Sequence, residues 1–174
     1  VLNGVLFQLT SNLLTLVATD GRRLTMSKHK VPFDGGEKKF ILPSRAVSEL
    51  SKLIGKDGDV VVEVCDNKAS FAMADRGGSE ITIASKLIDG SYPNYQQVIP
   101  DDKSVQTTAV VDAENLMESV SRVSLMATEK SYSVNLDFTE KELVIKAGSP
   151  EFGNAEERHP LAVKGGPVSI WASP

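Results

Sequence analysis

Two stretches of this 174-residue chain follow the same order, a strand, an amphipathic helix and then three further strands. A chain with such a supersecondary repeat is built by placing equivalent units side by side, each needing its neighbour to cover its apolar face. In the first stretch a short strand at 39–42 leads into Pro43-Ser44, and Ala46, Val47, Leu50, Leu53 and Ile54 then recur on one helical face. Ser44 is expected to cap the helix through its hydroxyl, and Gly55 and Gly58 to stop it. Strands at 60–65, 70–74 and 80–85 follow, the first two joined by a turn at Asp66-Asn67. In the second stretch a strand at 105–111 leads to Asp112 as cap and to Ala113, Leu116, Met117, Val120 and Val123 on one face. Strands at 133–138, 142–147 and 156–163 complete it, with Val134, Leu136 and Phe138 alternating against Ser133, Asn135 and Asp137. The class is α+β, with antiparallel sheets and helices on one face.

The repeat also shows what is missing from it. Three strands at 5–9, 13–18 and 24–29, separated by Thr10-Ser-Asn12 and Asp20-Gly21, open the chain without a leading strand and helix. A strand at 168–171 closes it without a helix or partner strands, so a polypeptide extended at both ends is expected. Between the complete units, residues 86–104 carry Gly90, Pro93, Pro100, Asp101 and Asp102 with little periodicity. The domain boundary is placed near Asp102, giving domains 1–102 and 103–174.

A hydrophobic content of 41% allows a real core at this length. Charged residues make up 24%, both signs are mixed, and the net charge is −4, so general basic attraction to nucleic acid is unsupported while local basic patches stay open. Cys65 is the sole cysteine, which rules out an internal disulfide and a cysteine-based zinc site. His29 and His159 are far apart and fit no nucleophile elbow or zinc helix, and read as strand or surface residues. Gly55-Lys56 lacks the spacing of a phosphate loop, Gly77-Gly78 reads as a turn, and Asp101-Asp102 as a solvated pair. No cofactor or metal is expected. No leader pattern or membrane span is present in the sequence, and a cytoplasmic location is expected.

Two segments stand apart. Ala18-Thr-Asp-Gly-Arg-Arg-Leu24 must turn sharply after a strand, and alone it reads as a hairpin turn. Tyr92-Pro-Asn-Tyr-Gln-Gln-Val-Ile-Pro100 sets two aromatics and two prolines in a linker, a composition suited to docking. Together, in this order, they resemble the bacterial sliding clamps, the DNA polymerase III beta subunits. Leu2-Asn-Gly-Val-Leu-Phe7 and Ile41-Leu-Pro43 are also similar to that family.

The resemblance implies the DNA clamp fold, with most of a middle domain and the first part of a last domain. It implies a non-catalytic processivity factor, a head-to-tail homodimeric ring around double-stranded DNA that tethers the polymerase III catalytic subunit, the clamp loader and other proteins with clamp-binding motifs. Carried over residue by residue, the partner-peptide pocket comprises Leu2, Thr19, Gly21, Arg22, Arg23, Leu24, Pro93, Gln97 and Val98. Arg22 stands where histidine is common in the family, and Gln97 where arginine is common. Arg45, Lys52 and Lys56 are the DNA-facing candidates, and Leu125 and Met126 the subunit-contact candidates. Read from residues alone, Leu2, Leu24 and Val98 also suit a strand core, Lys52 and Lys56 a mixed-charge helix face, and Leu125 and Met126 a helix end. The competing readings are a β-rich protein-interaction module without DNA encirclement, and a hydrolase using dispersed acids.

Overall fold

The computed structural model describes residues 3–55, 58–74, 77–101, 103–127, 133–151 and 153–173. The chain divides into two compact units, Val1–Ile99 and Pro100–Pro174.

In the first unit β1 (Gly4–Thr10), β2 (Leu13–Thr19) and β3 (Leu24–Lys30) form a meander, and β4 (Lys38–Pro43) pairs antiparallel with β1, giving the order β3-β2-β1-β4. The β1–β2 turn is a two-residue hairpin with Ser11 and Asn12 both at positive φ, the twist that matches flanking strands. The helix α1 (Ser44–Leu53) follows β4, and β5 (Val60–Cys65), β6 (Lys68–Ala74) and β7 (Glu80–Lys86) form a second antiparallel sheet.

Strand alternation decides what each face of the first sheet meets. Phe7, Phe40 and Leu42 join Leu50 of α1 and Phe71 and Met73 of β6 in the main core, where the Phe7 and Phe40 rings stack 5.0 Å apart. Their neighbours Leu6 and Ile41, with Val17, form a separate cluster that Ile88, Tyr92 and Tyr95 pack against. Both faces of β1 and β4 are therefore apolar, which is why Val5-Leu-Phe7 and Phe40-Ile-Leu42 are continuous apolar runs. A main-chain bond from Ile88 N to Ile41 O, 2.9 Å, ties the start of the linker to β4.

Two expectations for α1 are corrected. Ser44 is the first helical residue, Pro43 holds the cap position, and the Ser44 hydroxyl donates instead to Asn3 O at 2.6 Å. Leu53 and Ile54 are exposed, because the helix ends at Leu53 and only Ala46, Val47 and Leu50 reach the core. The sheet of β5–β7 leaves Val61, Val62 and Val64 exposed, since β5 is its edge and pairs only with β6 among the described residues.

In the second unit β8 (Thr107–Ala109) precedes α2 (Ala113–Ser124), followed by β9 (Val134–Phe138), β10 (Glu142–Ser149), β11 (Gly153–Pro160), β12 (Val163–Gly165) and β13 (Val168–Ala172). The sheet order is β11-β10-β9-β13, with β8 and β12 forming a separate two-stranded ribbon. The expected strand at 105–111 shrinks to three residues because Val105 and Val110 face solvent, and the expected strand at 156–163 is two strands with a break after Pro160. The closing strand does have a partner: β13 pairs antiparallel with β9. It occupies the position in its sheet that β4 occupies beside β1.

Asp112 caps α2 as expected, its Oδ1 accepting from Asn115 N at 2.9 Å. Asp112→Ala is expected to lower unfolding stability by about 1 kcal/mol in urea titrations. The inward face of α2 differs from the expected one. Val123 is buried and Leu116 and Val120 pack on the sheet, while Ala113 and Met117 are exposed and the fully buried position is Ser119. Polar contacts explain the exchange. Ser119 Oγ lies 2.8 Å from His159 Nε2 on β11 and accepts from Arg122 Nη2 at 3.2 Å, so its hydroxyl is satisfied where it is buried.

Candidate functional site

The turn between β2 and β3 builds itself from its own side chains. Thr19 Oγ1 donates to Arg23 O at 2.8 Å and accepts from Gly21 N at 3.1 Å. Asp20 Oδ1 accepts from the amides of Arg22 and Arg23, each at 3.0 Å, and Oδ2 accepts from Arg23 Nε at 3.1 Å. Gly21 has φ of 88°, and a Cβ built there would meet nothing within 4 Å. Glycine is needed for conformation there, not for space.

That arrangement stabilises Asp20 as the carboxylate. The amides of Arg23 and Arg22, and after them the Arg23 guanidinium, hold its carboxyl down at about 2. The folded value is depressed, so the turn's carboxylate contribution is complete above the unfolded value near ~4 and is lost as pH falls through about 2. The Arg22 and Arg23 amide protons are expected to titrate by NMR with a midpoint of about 2. A midpoint in the ordinary aspartate range would mean that Asp20 does not hold the turn.

Leu24, the residue that ends the turn, is half-buried against the cluster of Leu6, Val17 and Ile41 that also receives Ile88, Tyr92 and Tyr95. This brings the two sequence segments into one apolar patch on one face of the first sheet. The linker is fixed there at two points, the Ile88–Ile41 main-chain bond and the Tyr95 hydroxyl donating to Gln8 Oε1 at 3.1 Å. The Tyr92 hydroxyl is buried without a hydrogen-bond partner among the described residues, and its burial raises the phenol pKa. A 3₁₀ turn at Tyr95–Gln97 then carries the chain outward, leaving Pro93 and Gln97 exposed and Val98 69% exposed.

Of the expected pocket residues, Thr19, Gly21, Arg22, Arg23 and Leu24 share one turn, Leu24 meets the linker through its aromatics, and Pro93, Gln97 and Val98 lie on the exposed linker surface. Val98 is too exposed for the strand-core alternative. Leu2 lies outside the described residues. Tyr92 and Tyr95 are the two aromatics that mark the linker as suited to docking, while the contributors missed from sequence are Leu6, Val17, Ile41 and Ile88. Their signal was the continuous apolar runs in β1 and β4, which mark strands covered on both faces. A groove of about 640 Å³ along the linker is lined by Leu6, Ile41, Ile88, Tyr92 and Tyr95 of this same cluster, with Gln8, Lys39 and Asp89, and of the expected set it includes Pro93.

On α1, Arg45 is exposed and has no ion-pair partner among the described residues. Lys52 is paired with Glu49 at 2.9 Å, a surface pair. Lys56 lies outside the described residues. In the second unit Leu125 is 76% exposed and Met126 half-buried just past α2, so the helix-end core alternative does not suit Leu125.

The Ser119–His159 pair has the residue types of a hydrolytic site but not its geometry. Ser119 is fully buried, and Glu157 lies 3.8 Å from the same Nε2 that faces the serine, not from Nδ1, where it would orient the ring. Glu157 is instead clamped by Arg122 at 2.8 and 3.0 Å, and this holds its carboxyl down at about 2. The network fastens α2 to β11. No group of three or more His, Cys, Asp or Glu placed to hold a metal occurs among the described residues. No helix among them is long and apolar enough to cross a membrane.

Comparison with known proteins assigns the two units separately. The family profile described as DNA polymerase III beta subunit, central domain, matches residues 1–94, and the one described as its C-terminal domain matches residues 96–173. A beta sliding clamp from Vibrio cholerae is 30% identical over 170 residues, covering 97% of this chain and 44% of the relative. A solved sliding clamp from Pseudomonas aeruginosa bound to griselimycin has a TM-score of 0.83 at 30% identity, covering 97% of this chain and 44% of that one. The sliding clamp structure from Bacillus subtilis has a TM-score of 0.87 at 25% identity, covering 99% and 45%. The chain thus spans less than half the length of the relatives it matches. Its fold is the DNA clamp fold, and with each compact unit matched by its own profile, the chain belongs to the DNA polymerase III beta subunit family, the bacterial sliding clamps.

Proposed function

We propose that this chain is part of a DNA polymerase processivity factor, a ring that encircles duplex DNA and tethers the replicative polymerase, and that it has no catalytic chemistry of its own. In this reading residues 1–102 belong to the middle domain and 103–174 to the last. The observation that carries the docking half is the shared apolar cluster joining Leu24 to Tyr92 and Tyr95. An apolar patch rimmed by a rigid turn suits a short extended peptide with apolar anchors. Leu2, Thr19, Gly21, Arg22, Arg23, Leu24, Pro93, Gln97 and Val98 form this side of the pocket, and its users are the polymerase III catalytic subunit, the clamp loader and other proteins with clamp-binding motifs. The griselimycin-bound relative supports a ligand-holding role for this fold.

Encirclement replaces affinity with topology. Contacts to DNA are then few and directed at phosphates, which is compatible with a net charge of −4. Arg45 is the leading DNA-facing residue because its guanidinium has no ion-pair partner among the described residues, whereas Lys52 already has Glu49 and Lys56 adds a third cation. Leu125 and Met126 serve the contact that closes two subunits into a ring in the cytoplasm. The test uses the full-length protein loaded on circular DNA. Release on linearisation is the expected result, because only a topological link is lost by cutting, and retention on linear DNA would overturn encirclement.

A further inference from the structure

The face of the first sheet that receives the linker carries two rows of side chains. Antiparallel register sets Leu6 between Val17 and Ile41, and two residues further along β1 it sets Gln8 between Thr15 and Lys39. Side chains two apart on a strand share a face, so the apolar row and the polar row both point toward the linker. Tyr95 joins them. It packs on the apolar cluster while its hydroxyl donates to Gln8 Oε1 at 3.1 Å, and both residues line the groove along the linker.

The other end of the Gln8 amide is held as well. Nε2 donates to Glu37 Oε1 at 3.0 Å, and the same oxygen receives Lys39 Nζ at 2.8 Å. A carboxylate can only accept, so Glu37 demands the amide nitrogen and leaves the amide oxygen for the Tyr95 hydroxyl. The swapped amide would set oxygen against carboxylate. The Lys39 ammonium, hydrogen-bonded to Glu37, holds that carboxyl below its ordinary range, so the orientation persists at neutral pH. Tyr95 in turn opens the 3₁₀ turn Tyr95–Gln97, and its carbonyl accepts from Val98 N at 3.2 Å. A line of polar contacts therefore runs from Lys39 and Glu37 on the β4 side, through Gln8 and Tyr95, to the main chain of Val98.

We infer that Gln8 is a positioning residue for docking: oriented by Glu37, it fixes Tyr95 and through it the 3₁₀ turn from which Gln97 and Val98 are presented. Gln8 touches no ligand in this arrangement. The inference rests on the docking reading above, and adds to it a residue that lies a layer below the surface assigned to the peptide. The bond sits in an open groove, so its effect is that of one partly exposed neutral hydrogen bond.

The experiment compares three variants of the full-length protein: Gln8→Met, which keeps the side-chain length and removes both amide ends, Tyr95→Phe, which removes the hydroxyl alone, and the two combined. A labelled peptide enriched from a displayed random library on the wild-type protein is followed by fluorescence anisotropy, and the Val98 methyl resonances by NMR without peptide. Each single variant is expected to weaken the peptide about threefold to fivefold and to shift the Val98 methyls in the same direction, with thermal melting little changed. The double variant is expected to match the single ones, because both remove the same bond. Losses that multiply in the double variant overturn the inference. So do Val98 methyls that stay in place, and with a lowered melting temperature that result makes Gln8 a packing residue only. Peptide enrichment on wild type with undiminished affinity in the variants overturns the inference alone, whereas no enrichment on wild type overturns the docking reading and the inference with it.

Discussion

Leu24→Asp is expected to weaken binding of a partner peptide by about tenfold or more, because it sets a carboxylate in an apolar patch that offers it no partner. Leu24 is half-buried against Leu6, Val17 and Ile41 in the cluster that Tyr92 and Tyr95 complete, so a charge there is desolvated without compensation. The same substitution opposes packing of the linker, and circular dichroism with thermal melting must show that the sheet persists. Leu24→Ala separates the two effects. It removes apolar area without adding charge, and is expected to weaken the peptide by a smaller factor in a chain that folds. Unchanged affinity in both folded variants would remove Leu24 from the site and leave the turn as a plain hairpin.

Leu143→Ala is expected to cost about 2–5 kcal/mol of stability, the range for a large-to-small change in a closed core. Leu143 is fully buried on β10, the strand flanked by β9 and β11, and clusters with Val123, Val134 and Ile145. The damage is expected in the Pro100–Pro174 unit, whose core shares no residue with that of Val1–Ile99. Hydrogen exchange read by mass spectrometry should show faster exchange in β9–β11, with β1–β4 little changed. Met117→Ala is the matched control. Helical spacing puts Met117 on the core face, but it is 64% exposed, and its truncation is expected to change stability by no more than about 0.5 kcal/mol. A loss at Met117 comparable to that at Leu143 would contradict the observed orientation of α2.

Helical spacing failed at Met117 for a definable reason. A period of 3.6 residues identifies an apolar stripe but not how the helix is rotated about its axis. Here that rotation places Ser119 inward, where His159 and Arg122 satisfy it, and both partners are distant in the chain or useless to a hydropathy count. The Ser44 cap failed similarly. The residue type is right for a cap, but Pro43 holds the cap position and Ser44 is already helical, so its hydroxyl donates to Asn3 O, forty-one positions earlier. On β5, Val60-Val-Val-Glu-Val-Cys65 reads as a strand ending in a half-buried cysteine, and Cys65 is exposed. The edge position of the strand exposes Val61, Val62 and Val64, and pattern carries no information on whether a strand lies inside a sheet or at its rim.

The sequence by itself determined the elements that local chemistry dictates. The repeated strand and helix order, the Asp112 cap, the glycine-dependent turn at Gly21 and the family signature in two segments all follow from residue type at short spacing. Only the tertiary structure decided what those segments do together. Seventy residues separate Leu24 from Asn94, and the linker returns to Leu24 because both faces of β1 and β4 are apolar, with the main core covering one and the Ile88–Tyr95 stretch the other. That second covered face converts a hairpin turn and a proline-bearing linker into one candidate docking surface. It depends on burial between chain segments remote in sequence, which short-range spacing does not encode.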